Sequence, residues 1–120
     1  TTGNTATRLT SDAGGASTNN QFVLQNNSSA TFTCIIIGKQ SGSSNRMAWK
    51  IEGEIYRGAN AASTTIGSVT ISALNDAGLW GTPTATADTT NGALAIEVTG
   101  AAATNIQWTA SLDVAETVYS

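Results

Sequence analysis

Apolar and polar residues alternate along much of this chain, most clearly in its last third. Every second residue from 94 to 98 is aliphatic, and a later run places Ile106, Trp108, Ala110, Leu112 and Val114 on one face. A repeat of two predicts strands with one buried face and one wet face. The Asn91-Gly92 pair between them predicts a type I′ hairpin, because that turn needs positive φ at both central residues. We therefore expect residues 82–118 to form a β-meander.

Two longer alternating runs, residues 30–40 and 46–57, lie earlier in the chain and are joined by Ser-Gly-Ser-Ser. They predict a long hairpin. The first run is apolar on both faces, which carry Phe32, Cys34 and Ile36 on one side and Ile35 and Ile37 on the other. This pattern indicates a central strand that is covered on both faces.

Weaker signals complete the set of strands. Residues 21–25 and 64–74 are strand-like, with Gly67 as a candidate bulge, and Leu79-Trp80 opens the first strand of the 82–118 meander. Pro83 has no backbone N–H to donate a hydrogen bond to a neighbouring strand, so it should lie at a strand start, an edge or a bulge. About eight strands at hairpin spacing, with no helical periodicity, predict an all-β fold: an antiparallel β-sandwich or a jelly-roll-like domain.

The alternation also predicts which side chains are buried. The expected core contains Ile35, Ile37, Met47, Trp49, Ile51, Ile55, Leu94, Ile96, Val98, Ile106, Trp108, Leu112 and Val114. Trp49 and Trp108 belong to it because they are in register with aliphatic neighbours.

A length of 120 residues suits one domain. Residues 1–20 are rich in Thr, Ser, Gly and Asn and are expected to be an N-terminal connector, with residues 21–120 forming the β-sandwich tip domain. The chain begins without Met, so we expect a fragment or a processed product.

Charge is scarce in this sequence. Only 11% of residues are charged, against about 25% in a typical soluble domain. A surface of Thr, Ser, Asn and Gln suits a virion or extracellular protein, or a subunit of an oligomer. The five Lys and Arg form no basic stripe, so nucleic acid is not an expected partner. No apolar run is long enough to predict membrane insertion.

The residue inventory excludes several kinds of chemistry. The chain has no His, which rules out Ser-His-Asp triads and His-based zinc sites. Cys34 is expected to be a buried, inert thiol. Glu52 and Glu54 share a strand face at about 7 Å, as a glycosidase pair could. Lys50 and Arg57 flank them, so a surface ion network is the preferred interpretation. We expect no enzyme activity, no cofactor and no metal.

Sugar binding remains possible through polar loops and a nearby aromatic side chain. Trp80 lies beside a turn, where it could stack on a sugar ring or pack under the turn, and packing is preferred. The candidate ligand-binding residues are Tyr56, Gln40, Ser43, Asn45, Asn60, Asn75, Asp76 and Trp80.

A spaced pattern covers about three quarters of the chain. It comprises 48–53 (AWKIEG), Arg57-Gly58, Trp80, 86–88 (TAD), 91–94 (NGAL), 98–100 (VTG) and 105–110 (NIQWTA). This pattern resembles blocks that end many tailed-bacteriophage tail fibres and related virion proteins. The resemblance implies a C-terminal tail-fibre domain of the virion, a homotrimer, that meets a receptor on the host surface, expected to be a polysaccharide. Alternatives are a purely structural trimerisation or capping module and, less favoured, a capsule depolymerase.

The homotrimer has support from the residues as well. Residues 30–40 are apolar on both faces, and one domain core covers only one of them. A threefold arrangement would cover the other face and leave no open end for fibre growth. The interface should then exceed about 2,000 Å² in total, as in obligate oligomers.

Overall fold

Seven strands form two antiparallel sheets in the computed structural model, which describes residues 1–119. Ser120, the last residue of the expected tip domain, lies outside the described residues. The strands are β1 (Thr7–Arg8), β2 (Ser28–Gln40), β3 (Arg46–Arg57), β4 (Thr65–Asn75), β5 (Thr84–Asp88), β6 (Ala93–Val98) and β7 (Ile106–Val118), with a short 3-10 helix at Ala61–Ser63. The order is β4-β3-β2-β7 in the larger sheet and β1-β6-β5 in the smaller one.

The long hairpin and the central strand are confirmed. β2 pairs with β3 from Lys39–Arg46 to Ser28–Arg57, and on its other side it pairs with β7 along its whole length. The bulge is also confirmed, because Gly53 and Ile55 of β3 pair with Val69 and Ile66, which leaves one extra residue in β4 near Gly67. Pro83 immediately precedes β5, as predicted for a strand start.

The predicted C-terminal meander is wrong. β5 and β6 form a hairpin in the smaller sheet, but β7 leaves them and pairs with β2 in the larger sheet. Strand length gives the physical reason: β7 has 13 residues and matches β2, whereas β6 has only 6. The backbone groups of β7 therefore find a full ladder on β2, which the shorter β6 could not supply.

The predicted type I′ turn is also wrong. Asp88 pairs with Ala93, so the loop has four residues, and only Gly92 has positive φ, at 68°. The Asp88 carbonyl accepts the Gly92 N–H at 2.8 Å, while its carboxylate accepts the Thr90 and Asn91 N–H groups. The aspartate side chain shapes the turn and removes the need for positive φ at Asn91.

One expected strand begins later than predicted, and another does not form. Leu79-Trp80 lies in a bend, between Gly78 with a φ of 69° and Pro83, which lacks an N–H for a ladder, so the strand expected to open there begins at Thr84. Residues 21–25 make one bridge, between Val23 and Ala93. These residues and β1 pair with the same edge of β6, so neither segment has room for a long ladder. β1 itself lies within residues 1–20, the expected connector.

The two sheets enclose one apolar core, an arrangement compatible with a β-sandwich. Side chains of β2, β3, β5 and β6 meet in it, joined by Leu24. The predicted core residues that are buried are Met47, Trp49, Ile51, Ile55, Leu94, Ile96, Val98 and Ile106. Trp108 and Val114 are partly buried and pack against the same cluster.

Three predicted core residues are exposed instead. Ile35 and Ile37 are 41% and 46% exposed, because no second layer covers the outer face of the larger sheet. The prediction that β2 is covered on both faces is therefore wrong for the single chain. Leu112 lies on the inner face of β7 but is 37% exposed, because β7 is an edge strand and the smaller sheet has only three strands.

Candidate functional site

The hairpin loop between β2 and β3 holds three of the predicted ligand-binding residues. Gln40 and Asn45 are joined by a backbone bond of 3.0 Å and by a side-chain bond of 3.0 Å from Asn45 Nδ2 to Gln40 Oε1. Ser43 Oγ accepts the Asn45 N–H at 3.1 Å. These polar groups satisfy one another within an exposed loop.

Three more predicted residues lie at the same end of the molecule. Asn75 pairs with Ala48, next to the start of β3, and the Asp76 carboxylate accepts the Gly78 N–H at 2.9 Å. Trp80 is partly buried and contacts Trp108 edge to face, with ring centroids 6.1 Å apart. Trp108 in turn lies over Gly38 of β2. The Trp80 ring thus has the packing contact that the sequence favoured.

Tyr56 and Asn60 lie at the opposite end. Tyr56 is ten residues along β3 from Arg46, which is about 33 Å at strand rise. The Asn60 side chain accepts the Ser63 N–H at 3.1 Å and caps the 3-10 helix. The eight predicted residues therefore divide between two ends, and no sugar-sized site includes both groups.

Residues 10–21 form an ordered loop, here called the Asn20 loop. A bond of 2.9 Å from the Ser11 N–H to the Asn20 carbonyl closes it. The buried Asn20 side chain donates to Asp12 Oδ1 and the Gly15 carbonyl, and accepts from Ser17 N and Oγ. Hydrogen bonds from the Asn20 side chain and the Gly14 N–H lower the pKa of Asp12. These internal hydrogen bonds constrain the shape of the loop.

Asp88 fastens the Asn20 loop and β1 to the β5–β6 turn. Its Oδ2 accepts from Arg8 at 3.1 Å, Gln21 at 3.0 Å and Asn91 at 2.7 Å. Burial alone would raise the pKa of this carboxyl. The side-chain bonds from Asn91 and Gln21 and the backbone N–H groups of Asn91 and Thr90 outweigh burial and hold the pKa well below its ordinary value.

A groove of about 270 Å³ lies between the Asn20 loop and β7, and we call it the side groove. It opens where the smaller sheet stops short of β7. Its floor and walls are formed by Leu9, Phe22, Cys34, Leu94, Ile96, Ala110 and Leu112, and its rim by Thr10, Ser11, Asn19, Asn20 and Gln21. An apolar concavity with a polar rim is the usual form of a small-molecule site.

The side groove is electrically neutral. Cys34 is its one titratable lining residue, and burial raises the pKa of that thiol to about 11. The thiol is therefore protonated at neutral pH, and no carboxylate or basic side chain lines the groove. Such a surface suits an uncharged ligand.

The sequence did not identify this groove because its walls are distant in the chain. Leu9 and Phe22 lie on either side of the Asn20 loop, and Leu112 lies in the final strand. The available signal was local: Asp12 and Asn20 frame a run of turn-forming residues whose side chains can bond to backbone. That signal predicts an ordered loop but not what the loop faces.

The carboxylate pair considered from the sequence lies on the surface of the larger sheet. Glu52 and Glu54 are exposed on the outer face of β3, and Lys50 Nζ lies 3.5 Å from Glu52 Oε1. Within residues 1–119, no three His, Cys, Asp or Glu side chains are close enough to hold a metal ion. The same residues include no helix long and apolar enough to cross a membrane.

Comparisons of this chain with protein-family models, with curated proteins and with solved structures found no match.

Proposed function

We propose that this chain is the receptor-binding tip domain of a tailed-bacteriophage tail fibre, that it acts in the virion, and that it attaches to a polysaccharide of the host surface without cleaving it. The side groove is the observation that carries the proposal, because it combines an apolar floor with hydroxyl and amide groups at the rim. Sugars present the matching combination of apolar ring faces and hydroxyl groups.

The rest of the surface supports the same function. Thr, Ser, Asn and Gln give many hydrogen-bonding groups with few charges, so a neutral glycan can approach without displacing counterions. The spaced tryptophan and glycine pattern resembles tail-fibre ends. Single sugar sites bind weakly, and several copies on one fibre would supply avidity.

The chain should bind at least one neutral polysaccharide on an array of bacterial surface polysaccharides. Binding should survive a chelator, and no reducing ends should be released during the incubation. Absence of binding to every polysaccharide at millimolar sugar would contradict receptor recognition. Release of sugar would contradict the non-catalytic role.

A structural trimerisation module is the second candidate, and a different observation favours it. The outer face of the larger sheet exposes Ile35 and Ile37, and residues 1–119 supply no strand for the outer edge of β7. Exposed isoleucines and a free strand edge are features that proteins usually hide. A threefold assembly of this chain would cover the two isoleucines, and the two candidate functions are compatible.

Replacing Ile37 with Asp should dissociate that trimer. The carboxylate would be buried without a partner in the interface, which is costly. Sedimentation equilibrium should give three times the mass of the 12.2 kDa chain for the parent and a smaller or aggregated species for the variant. A parent mass of one chain at all concentrations would contradict the trimer. Ala77→Asp, in the exposed segment after β4, is the control for the added charge.

A further inference from the structure

We infer that the side groove binds one neutral sugar residue that carries a methyl group, with the methyl directed at the floor. This inference rests on the proposed function and specifies its ligand. The groove volume of about 270 Å³ lies just below the range of about 300–1,000 Å³ that is usual for ligand pockets. A single residue of a glycan, with its neighbours in solvent, fits an open groove of that size.

The floor of the groove selects for a methyl group. Cys34, Leu94 and Ile96 form it, and each is less than 10% exposed. A sugar hydroxyl turned towards these side chains would lose its bonds to water and gain none, whereas a methyl group gains from leaving water. N-acetyl and 6-deoxy sugars share this chemistry, because both carry a methyl group beside polar groups.

The rim can hold the polar part of the same sugar. Within residues 1–119, the Ser11 hydroxyl and the Asn19 side-chain amide have no hydrogen-bond partner, although their neighbours Asn20 and Gln21 are fully engaged. Both groups are exposed at the rim, on a loop whose shape is constrained by internal hydrogen bonds. The loop backbone therefore loses little conformational entropy when they bond to a ligand.

The neutrality of the groove excludes charged sugars as preferred ligands. No Lys or Arg lines it to pair with a uronic acid, and no carboxylate lines it to pair with an amino sugar. A charged sugar would lose hydration without gaining an ion pair. The groove therefore favours N-acetyl and 6-deoxy sugars over uronic acids.

The test uses the whole chain and three probes, the free reducing sugars N-acetylglucosamine, rhamnose and glucose. N-acetylglucosamine, rhamnose or both should shift the methyl NMR signals of Leu9, Leu94, Ile96 and Leu112. Which of the two sugars causes the shift distinguishes binding of an N-acetyl methyl group from binding of a 6-deoxy methyl group. Affinity for glucose should be at least about fourfold weaker, since one buried methyl contributes about that factor. Equal affinity for all three, or unshifted groove signals, would overturn the inference.

Two variants locate the site. Leu112→Glu places a charge in the groove at a partly exposed position and should weaken binding at least tenfold. Ala102→Glu puts the same charge in the exposed turn before β7 and should leave affinity within twofold. Asn19→Ala, on the exposed rim, should weaken binding about fivefold. It replaces Leu112→Glu as the test if that variant is unstable.

The outcomes separate this inference from the proposed function. A host polysaccharide bound equally by the parent and by Leu112→Glu would overturn the groove assignment and leave receptor binding intact. No binding to any polysaccharide or probe would overturn both. Dissociation of an oligomer by Leu112→Glu, with no sugar-dependent shifts, would show that a second copy of the chain occupies the groove.

Discussion

Phe32→Ala is expected to lower the free energy of unfolding by about 3–5 kcal/mol, because it removes a ring from the centre of the core. Phe32 is 2% exposed, and its ring lies against Gly53 on the neighbouring strand. Alanine would leave a cavity, since Gly53 has no side chain to fill it. Native domains have only about 5–15 kcal/mol of stability, so this one change should remove a large part of it.

Urea denaturation followed by tryptophan fluorescence measures the effect. Tyr56→Ala is the matched control: it also removes an aromatic ring, but from a side chain that is 40% exposed on the outer face of β3. The control should change stability by less than about 1 kcal/mol. Equal losses in the two variants would contradict the assignment of inner and outer faces.

Asp88→Asn is expected to have the second largest effect, about 2–4 kcal/mol, and to change the response to acid. The neutral amide cannot accept all the hydrogen bonds that Asp88 receives, and it leaves Arg8 without its closest carboxylate. Asp76→Asn is the control, because Asp76 also accepts a backbone N–H in a turn but is exposed.

The pH dependence follows from the lowered pKa of Asp88 in the folded chain. The carboxylate stabilises the fold at pH values above the unfolded pKa of about 3.9, and this contribution is lost as the pH falls towards the folded value. The parent should therefore lose stability below about pH 5, and Asp88→Asn should lose less over the same interval. Parallel pH profiles would contradict a stabilising role for the ionised carboxylate.

Local patterns predicted the strands well and their partners less well. Alternation over residues 46–57 matches β3, because side-chain period and one-sided burial are local properties of a strand. The repeat of apolar residues could not predict which strand pairs with β7, since each sheet has an edge strand with which it could form hydrogen bonds. Ile35 and Ile37 show the related limit: alternation separates two faces but does not say whether the second face has a cover.

The candidate site was less predictable still. The polar loops around Gln40 and Asn60 were recognisable by composition, but their separation depends on the length of β3 and on which of its ends each loop follows. The side groove needs Leu9, Phe22 and Leu112 together, and these belong to three separate segments. Only the topology brings them to one edge.

The pairing of β2 with β7 also determines how the chain must fold. Residues 28–40 are synthesised before most of the other strands, but their second neighbour, residues 106–118, follows every other described strand. Until then one whole edge of β2 lacks hydrogen-bond partners, and Cys34 and Ile36 lie beside an incomplete layer. Closing so long a loop is entropically costly, and folds that depend on such distant pairs acquire their structure in milliseconds to seconds rather than microseconds. The larger sheet is therefore completed only after synthesis of β7, and a nascent chain that stalls before Ile106 exposes an unpaired strand to its neighbours on the polysome.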